Sequence, residues 1–259
     1  MGTIMNRIEN AFANKPTFMP YYPLGYPDLE TSVDVIEALA KNGADLIEVG
    51  LSFSDPLADG PVIQQATQTA LEKGITIKKS LLAVKELRKR GVEIPLILMG
   101  YYNPMLAYGL EKFVRDAKDA GADGFIIPDL PVEEFGEFES INNDLPLIRM
   151  IAPTSSAERM EKIARNANGF IYLVSVTGIT GERKSVAEGL SDLIANVRQH
   201  TNIPVCVGFG IGTPEQAKEV GQMADGVIVG TACVRAIGSS ETPVETAKQF
   251  SAQFRGALQ

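Results

Sequence analysis

Gly43-Ala44-Asp45-Leu46-Ile47-Glu48-Val49 reads as the end of a helix, a turn and a short strand buried on both faces. The Gly follows a helix-like segment, Val33–Lys41, the Asp stands at the turn, and a near-continuous apolar run comes next. The phrase returns twice. Gly121-Ala122-Asp123 follows Leu110–Ala120 and precedes Phe125–Ile127; Ala224-Asp225-Gly226 follows Glu215–Gln222 and precedes Val227–Val229. Asp123 and Asp225 are 102 residues apart, four units of about 25, which suits a strand-plus-helix repeat. Three further apolar runs fill that interval: Leu147–Ile151, Phe170–Val174 and Val205–Val207. Upstream, Thr17–Tyr22 and Pro95–Met99 bring the strands to eight, and the longer interval before Pro95 holds two helices, Val62–Lys73 and Lys78–Arg90.

Eight such units without a linker, low-complexity segment or composition break predict an α/β fold, a (β/α)8 TIM barrel forming a single domain over residues 1–259. An additional N-terminal helix and extra helices after strands 2 and 8 are expected. Within Thr3–Asn14, Ile4, Ile8 and Phe12 recur at helical spacing, which suits a short helix over the barrel floor. A doubly wound sheet also alternates strands and helices. It usually carries a glycine-rich dinucleotide turn after its first strand, and Tyr22-Pro23-Leu24-Gly25-Tyr26-Pro27 is not that turn.

The chain has 259 residues, 45% of them hydrophobic, enough for a large core. Its net charge is −8 and its basic residues are scattered, which argues against nucleic acid or an anionic membrane as main partner. Two cysteines in apolar runs, Cys206 and Cys233, and one histidine, His200, make neither a metal set nor a disulfide framework. Buried thiols suit a reducing cytoplasm, where the protein is expected. No apolar core of a signal peptide follows the first basic residue, and no run approaches the roughly 18 apolar residues of a membrane span.

In such barrels the working residues lie at the C-terminal ends of strands and on the loops that follow. Glu48 is a lone acid in an apolar strand, costly to bury unless paired or useful, and Asp59 lies on the loop leaving that strand. Two carboxylates in unequal surroundings suit acid–base chemistry; the plainer reading is a loop cap and a turn residue. Gly208-Phe209-Gly210-Ile211-Gly212-Thr213-Pro214 after strand 7 and Gly230-Thr231-Ala232 after strand 8 suit a phosphate held by backbone N–H groups and a helix N-terminus, without an Arg clamp. The same glycines also make tight turns, and Thr213-Pro214 reads as a helix cap. Tyr172 in strand 6 reads alone as core, as do Tyr21, Ile63, Met99 and Ile151.

The fifteen residues Ile47-Glu48-Val49-Gly50-Leu51-Ser52-Phe53-Ser54-Asp55-Pro56-Leu57-Ala58-Asp59-Gly60-Pro61 resemble the signature of the tryptophan synthase alpha subunit family. Further likeness runs in order from Phe18 to Arg235. It takes in Met99-Gly100-Tyr101-Tyr102-Asn103-Pro104, Ile127-Pro128-Asp129-Leu130-Pro131-Val132-Glu133-Glu134 and Val176-Thr177-Gly178-Ile179-Thr180-Gly181. The resemblance implies a lyase that cleaves indole-3-glycerol phosphate to indole and glyceraldehyde 3-phosphate. Glu48 and Asp59 would be catalytic, Glu48 buried with a raised pKa and Asp59 nearer solvent and ionised, with Tyr172 assisting. Tyr21, Ile63, Met99, Tyr101 and Ile151 would wall the indole pocket. Phosphate would meet Gly181, Phe209, Gly210, Gly230 and Thr231, and Thr180 on a lid would reach Asp59.

A beta partner is implied as well, in an αββα complex touched by Asp55, Asn103 and Pro131. The chain would need no cofactor of its own, pyridoxal phosphate belonging to that partner. Two residues depart from the family pattern: Ser52 stands where Pro is common, which puts partner coupling in question, and Thr231 replaces Ser. A phosphosugar isomerase barrel, a stand-alone indole-producing lyase and a weakly active activator of the beta subunit are the competing readings.

Overall fold

The computed structural model describes residues 4–13, 16–142, 144–174, 183–208 and 210–259. Eight parallel strands close into a barrel in chain order: β1 Thr17–Pro23, β2 Ile47–Gly50, β3 Leu96–Met99, β4 Gly124–Ile126, β5 Leu147–Ile151, β6 Ile171–Val174, β7 Val205–Gly208 and β8 Gly226–Val229. β1 pairs with β8 as well as β2, so no edge is left, and the doubly wound alternative falls. Helices cover the outside, which explains why all seven residues of β1 are buried.

Twelve helices are seen among the described residues. α1 Ile4–Ala11 lies across the floor as expected: Ile8 and Phe12 are buried, and the Phe12 ring lies 5.9 Å from that of Phe170. α2 Leu29–Lys41 follows β1; α3 Pro61–Glu72 and α4 Ile77–Lys89 follow β2. After β3 come α5 Tyr102–Tyr108 and α6 Leu110–Ala120, then α7 Phe135–Ile141, α8 Ala157–Arg165, α9 Arg183–Arg198 and α10 Pro214–Gly221. The extra helices after strand 8 are present as α11 Thr231–Gly238 and α12 Pro243–Ala257. The expected extra helices after strands 2 and 8 are joined by α5 after strand 3. Pro104 sits in the first turn of α5, where its missing N–H has no helical partner to lose.

The repeated aspartates explain the barrel's lower end. Asp45, Asp123 and Asp225 each stand just before a strand and clasp the start of the strand before it. The Asp45 N–H donates to the Phe18 carbonyl at 3.0 Å, while its carboxylate accepts the Phe18 N–H at 2.8 Å. Asp123 does the same with Leu96, at 2.9 and 2.8 Å, and Asp225 with Val205, at 2.9 and 2.9 Å. Each carboxylate also meets arginine: Asp45 pairs with Arg255 at 2.7 Å, Asp123 with Arg88 and with Arg7 of α1 at 2.9 Å, and Asp225 with Arg198 at 3.1 Å. Two-way clasps of this kind tie three pairs of neighbouring strands and satisfy groups that would otherwise be buried unpaired.

Pleating then decides which side chains enter the barrel. Register partners in parallel strands share a face, and the chain Tyr21–Glu48–Ile97 leads round through Gly124 in β4. Across the barrel Met150 is level with Tyr172, and Tyr172 with Cys206. Every second residue therefore points inward, and the others pack under the helices.

Candidate active site

A cavity of about 840 Å³ opens at the C-terminal ends of the strands, where the fold places its working residues. Two tyrosines enter it because their neighbours have no side chain. A Cβ on Gly50 would meet the Tyr21 ring, and one on Gly208 would meet the Tyr172 ring. Small residues beside large ones let the barrel interior fill without strain at two levels.

Glu48 projects from β2 into this cavity and is 1% exposed. Its Oε1 atom is buried with no hydrogen-bond partner. Burial pushes its carboxyl up to about 8, so the acid is largely protonated at neutral pH. Asp59 lines the same cavity from the loop between β2 and α3. It is half-buried rather than solvent-facing, and burial raises its pKa while the Tyr101 hydroxyl, donating to Oδ2 at 3.0 Å, holds it down. Asp59 is the more exposed of the two acids, in keeping with its expected place nearer solvent. Of the two acids, Glu48 is displaced further, because no donor opposes the loss of water.

Tyr172 and Tyr21 stay protonated: burial raises both, and the neighbouring charges of Glu48 and Asp59 add to the effect. Each can donate a hydrogen bond but supplies no base near neutral pH.

Ile63 and Met99 line the cavity as expected. Tyr101 and Ile151 do not. The Tyr101 hydroxyl accepts the Ala58 N–H at 3.0 Å and donates to Asp59, while its ring packs at 5.5 Å on Phe53. It clasps the Asp59 loop instead of walling the pocket. Ile151 is level with Leu173, which sits in the cluster of Ile163, Ile194 and Val207 between barrel and helices. A one-residue difference in strand register decides this, and Met150 is the inward residue of that pair.

At the other end of the cavity Gly210, Gly230 and Thr231 form the wall. Gly210 has φ +83, a backbone conformation open to glycine and strained for a branched side chain. The two helix starts here differ. Thr213 caps α10 by accepting the Gln216 N–H, and the Gly212 N–H is taken by Gln216 at 2.8 Å. α11 starts at Gly230 with no side-chain cap, and Gly230, Thr231 and Ala232 line the cavity, so the uncapped start of this helix lies at its wall. Thr180, Gly181 and Phe209 lie outside the described residues.

Sequence reasoning missed Arg235 and Ser239, which line the cavity beyond Thr231. The signal was available, since residues 231, 235 and 239 share one helix face at four-residue spacing. Arg235 thus adds a cation to a wall otherwise expected to offer mainly backbone donors.

Asp55, Asn103 and Pro131 follow three consecutive strands on the same end of the barrel. Asp55 and Asn103 are exposed, and Leu57 beside Asp55 is 89% exposed. The Ser52 hydroxyl is buried without a hydrogen-bond partner. Among the described residues no group of His, Cys, Asp and Glu could hold a metal ion, and no helix is long and apolar enough to cross a membrane.

Comparison with known proteins agrees with this geometry. The profile of the family described as tryptophan synthase alpha chain matches residues 8–258. The tryptophan synthase alpha chain of Chloroflexus aggregans is 49% identical over 237 residues, covering 89% of either chain. The crystal structure of the alpha subunit from Legionella pneumophila superposes with a TM-score of 0.90 at 37% identity, over 100% of this chain and 98% of that one. A chain in an open form of tryptophan synthase from M. tuberculosis gives 0.88 at 32% identity, over 99% of each. The chain belongs to the tryptophan synthase alpha chain family.

Proposed function

We propose that the cavity cleaves indole-3-glycerol phosphate by a retro-aldol reaction in which Glu48 moves the protons. Membership of the family makes the chain a lyase of tryptophan biosynthesis; the division of labour among its side chains is the reading argued here. The observation that carries it is a buried carboxyl, Glu48, pushed toward its neutral form and with Oε1 lacking a hydrogen-bond partner, in one cavity with a second carboxylate, Asp59.

Protonated Glu48 donates to C3 of the indole ring, which then accepts the electron pair of the breaking C–C bond. The resulting Glu48 carboxylate takes the proton of the side-chain hydroxyl as that carbon becomes the aldehyde of glyceraldehyde 3-phosphate. A carboxyl near pKa 8 suits both transfers at neutral pH. Positive charge develops at the indole nitrogen during protonation, and Asp59, held by Tyr101, is the anion that stabilises it. Tyr172 supplies an oriented hydroxyl, Ile63 and Met99 contact the ring, and the start of α11 holds the phosphate.

The beta subunit is the partner in this reading, seated on the end that carries Asp55, Asn103 and Pro131. The exposed Leu57 gives that surface an apolar anchor, and pyridoxal phosphate belongs to the partner. The test is indole release from indole-3-glycerol phosphate by the purified chain, alone and with a beta subunit. Release that rises with the partner supports both parts. Release unchanged by the partner removes the coupling, and no release in either condition removes the lyase reading.

A further inference from the structure

The cavity wall continues from the start of α11 along one helix face to Arg235 and Ser239. A helical side chain leans toward the helix N-terminus, so Arg235 lies over the turn that begins at Gly230 and Thr231. That turn carries uncapped N–H groups. The same cavity is lined by Glu48, 1% exposed and with Oε1 lacking a hydrogen-bond partner, so the space offers a ligand polar groups to meet.

The charges are unevenly placed. Arg88, Arg198 and Arg255 are each committed to a floor carboxylate. Arg235 has no carboxylate partner among the described residues, and its side chain is exposed at the cavity. Among the described lining residues Glu48 and Asp59 are the acids and Arg235 is the cation. A phosphate monoester near neutral pH carries close to two negative charges and must approach a chain of net charge −8 whose pocket already holds a carboxylate. Backbone N–H groups and a helix dipole contribute partial charges only.

We propose that Arg235 is a substrate-binding residue of this site, its guanidinium pairing with the phosphate monoester as the ester rests on the first turn of α11. This rests on reading the cavity as a phosphate-ester site. The pairing draws the substrate in and holds its phosphate end, away from the bond that breaks. Its contribution therefore belongs to affinity, is shared by any phosphate monoester that fits the turn, and weakens with salt.

The test compares wild type, Arg235→Met and Arg235→Lys. Glycerol phosphate binding is followed by phosphorus NMR, and indole release is measured over a range of ionic strength. Arg235→Met is expected to weaken glycerol phosphate binding and raise KM about tenfold, the scale of a charge-assisted hydrogen bond, with kcat little changed. The salt dependence of KM should flatten in the Met variant, Arg235→Lys should recover much of the loss, and affinity for indole should be equal in all three. Equal glycerol phosphate affinity in wild type and Arg235→Met would overturn the assignment. So would a loss that extends to indole, which signals a disturbed fold. Wild type that binds glycerol phosphate but releases no indole leaves Arg235 in place and removes the lyase reading instead.

Discussion

Asp45, two residues before β2, and Glu48, the second residue in it, are carboxylates only three residues apart with opposite surroundings. Asp45, at the floor, accepts a backbone N–H and an arginine, as Asp123 and Asp225 do in their own places. Glu48, about 10 Å further along the chain, meets no cation among the described residues, and its Oε1 has no hydrogen-bond partner. A carboxylate clasped by an arginine and a strand N–H has its oxygens occupied and ties the barrel together. A carboxyl denied both keeps its proton and is available to give it away. Stability is therefore concentrated at one end of the barrel and proton chemistry at the other, and β2 contributes to each.

The largest expected effect is at the floor. Asp123 is fully buried and holds Arg88, Arg7 and the Leu96 N–H. Asp123→Asn should destabilise the fold by about 3–5 kcal/mol, the scale of breaking a buried ion pair, while the folded fraction keeps its kcat. Urea unfolding together with indole release per folded molecule measures both. A catalytic loss greater than the loss of folded protein would break the division between the two ends.

Next comes the upper end, where the ranking reverses. Glu48→Gln and Asp59→Asn should each lower kcat by about a hundredfold or more without a comparable loss of stability. Glu48→Gln should even gain on wild type with pH. The folded pKa of about 8 lies above the ordinary 4.5, so the wild type's neutral carboxyl is favoured below about 4.5, and this advantage is lost as pH rises to about 8. Melting temperatures of the two proteins should thus diverge in favour of Gln over that window. Parallel curves would mean that Glu48 is not desolvated.

The smallest effect sharpens the boundary of the site. Tyr101 touches Asp59 and Ala58 without lining the cavity. Tyr101→Phe should cut kcat about tenfold, one hydrogen bond to a charged group, and leave glycerol phosphate affinity unchanged. Steady-state kinetics showing a change in KM alone would return Tyr101 to the pocket wall.

The repeated Gly-Ala-Asp phrase made the barrel legible, because a strand buried on both faces leaves a continuous apolar run and the turn before it must be polar. What the phrase did not disclose is why the residue is Asp. Its N–H and carboxylate grip both backbone groups of one residue on the neighbouring strand, a relation between residues far apart in the chain. Glu48 and Asp59 stood out because a carboxylate among Leu46, Ile47, Val49 and Leu51 needs a reason. Ile151 was misplaced because five apolar or long side chains in a row, Leu147–Ile151, hide the inward and outward alternation. Only the pairing with β6 resolves it. A hydroxyl that holds a loop and one that lines a pocket look alike in sequence, so the residues alone do not disclose the hydrogen bonds of Tyr101 to the Asp59 loop. Arg235 was overlooked because glycine-rich turns drew attention to backbone donors, although its spacing from Thr231 placed it on the same helix face.

The central claim is that Glu48 is a neutral, proton-carrying carboxyl at the working end of the barrel. Carbon NMR titration of the Glu48 side chain, assigned by the signal lost in Glu48→Gln, tests it directly. The expected midpoint is near 8, with kcat for indole release falling as pH rises through the same value. A midpoint near the ordinary 4.5, with kcat unchanged between there and pH 8, would contradict it.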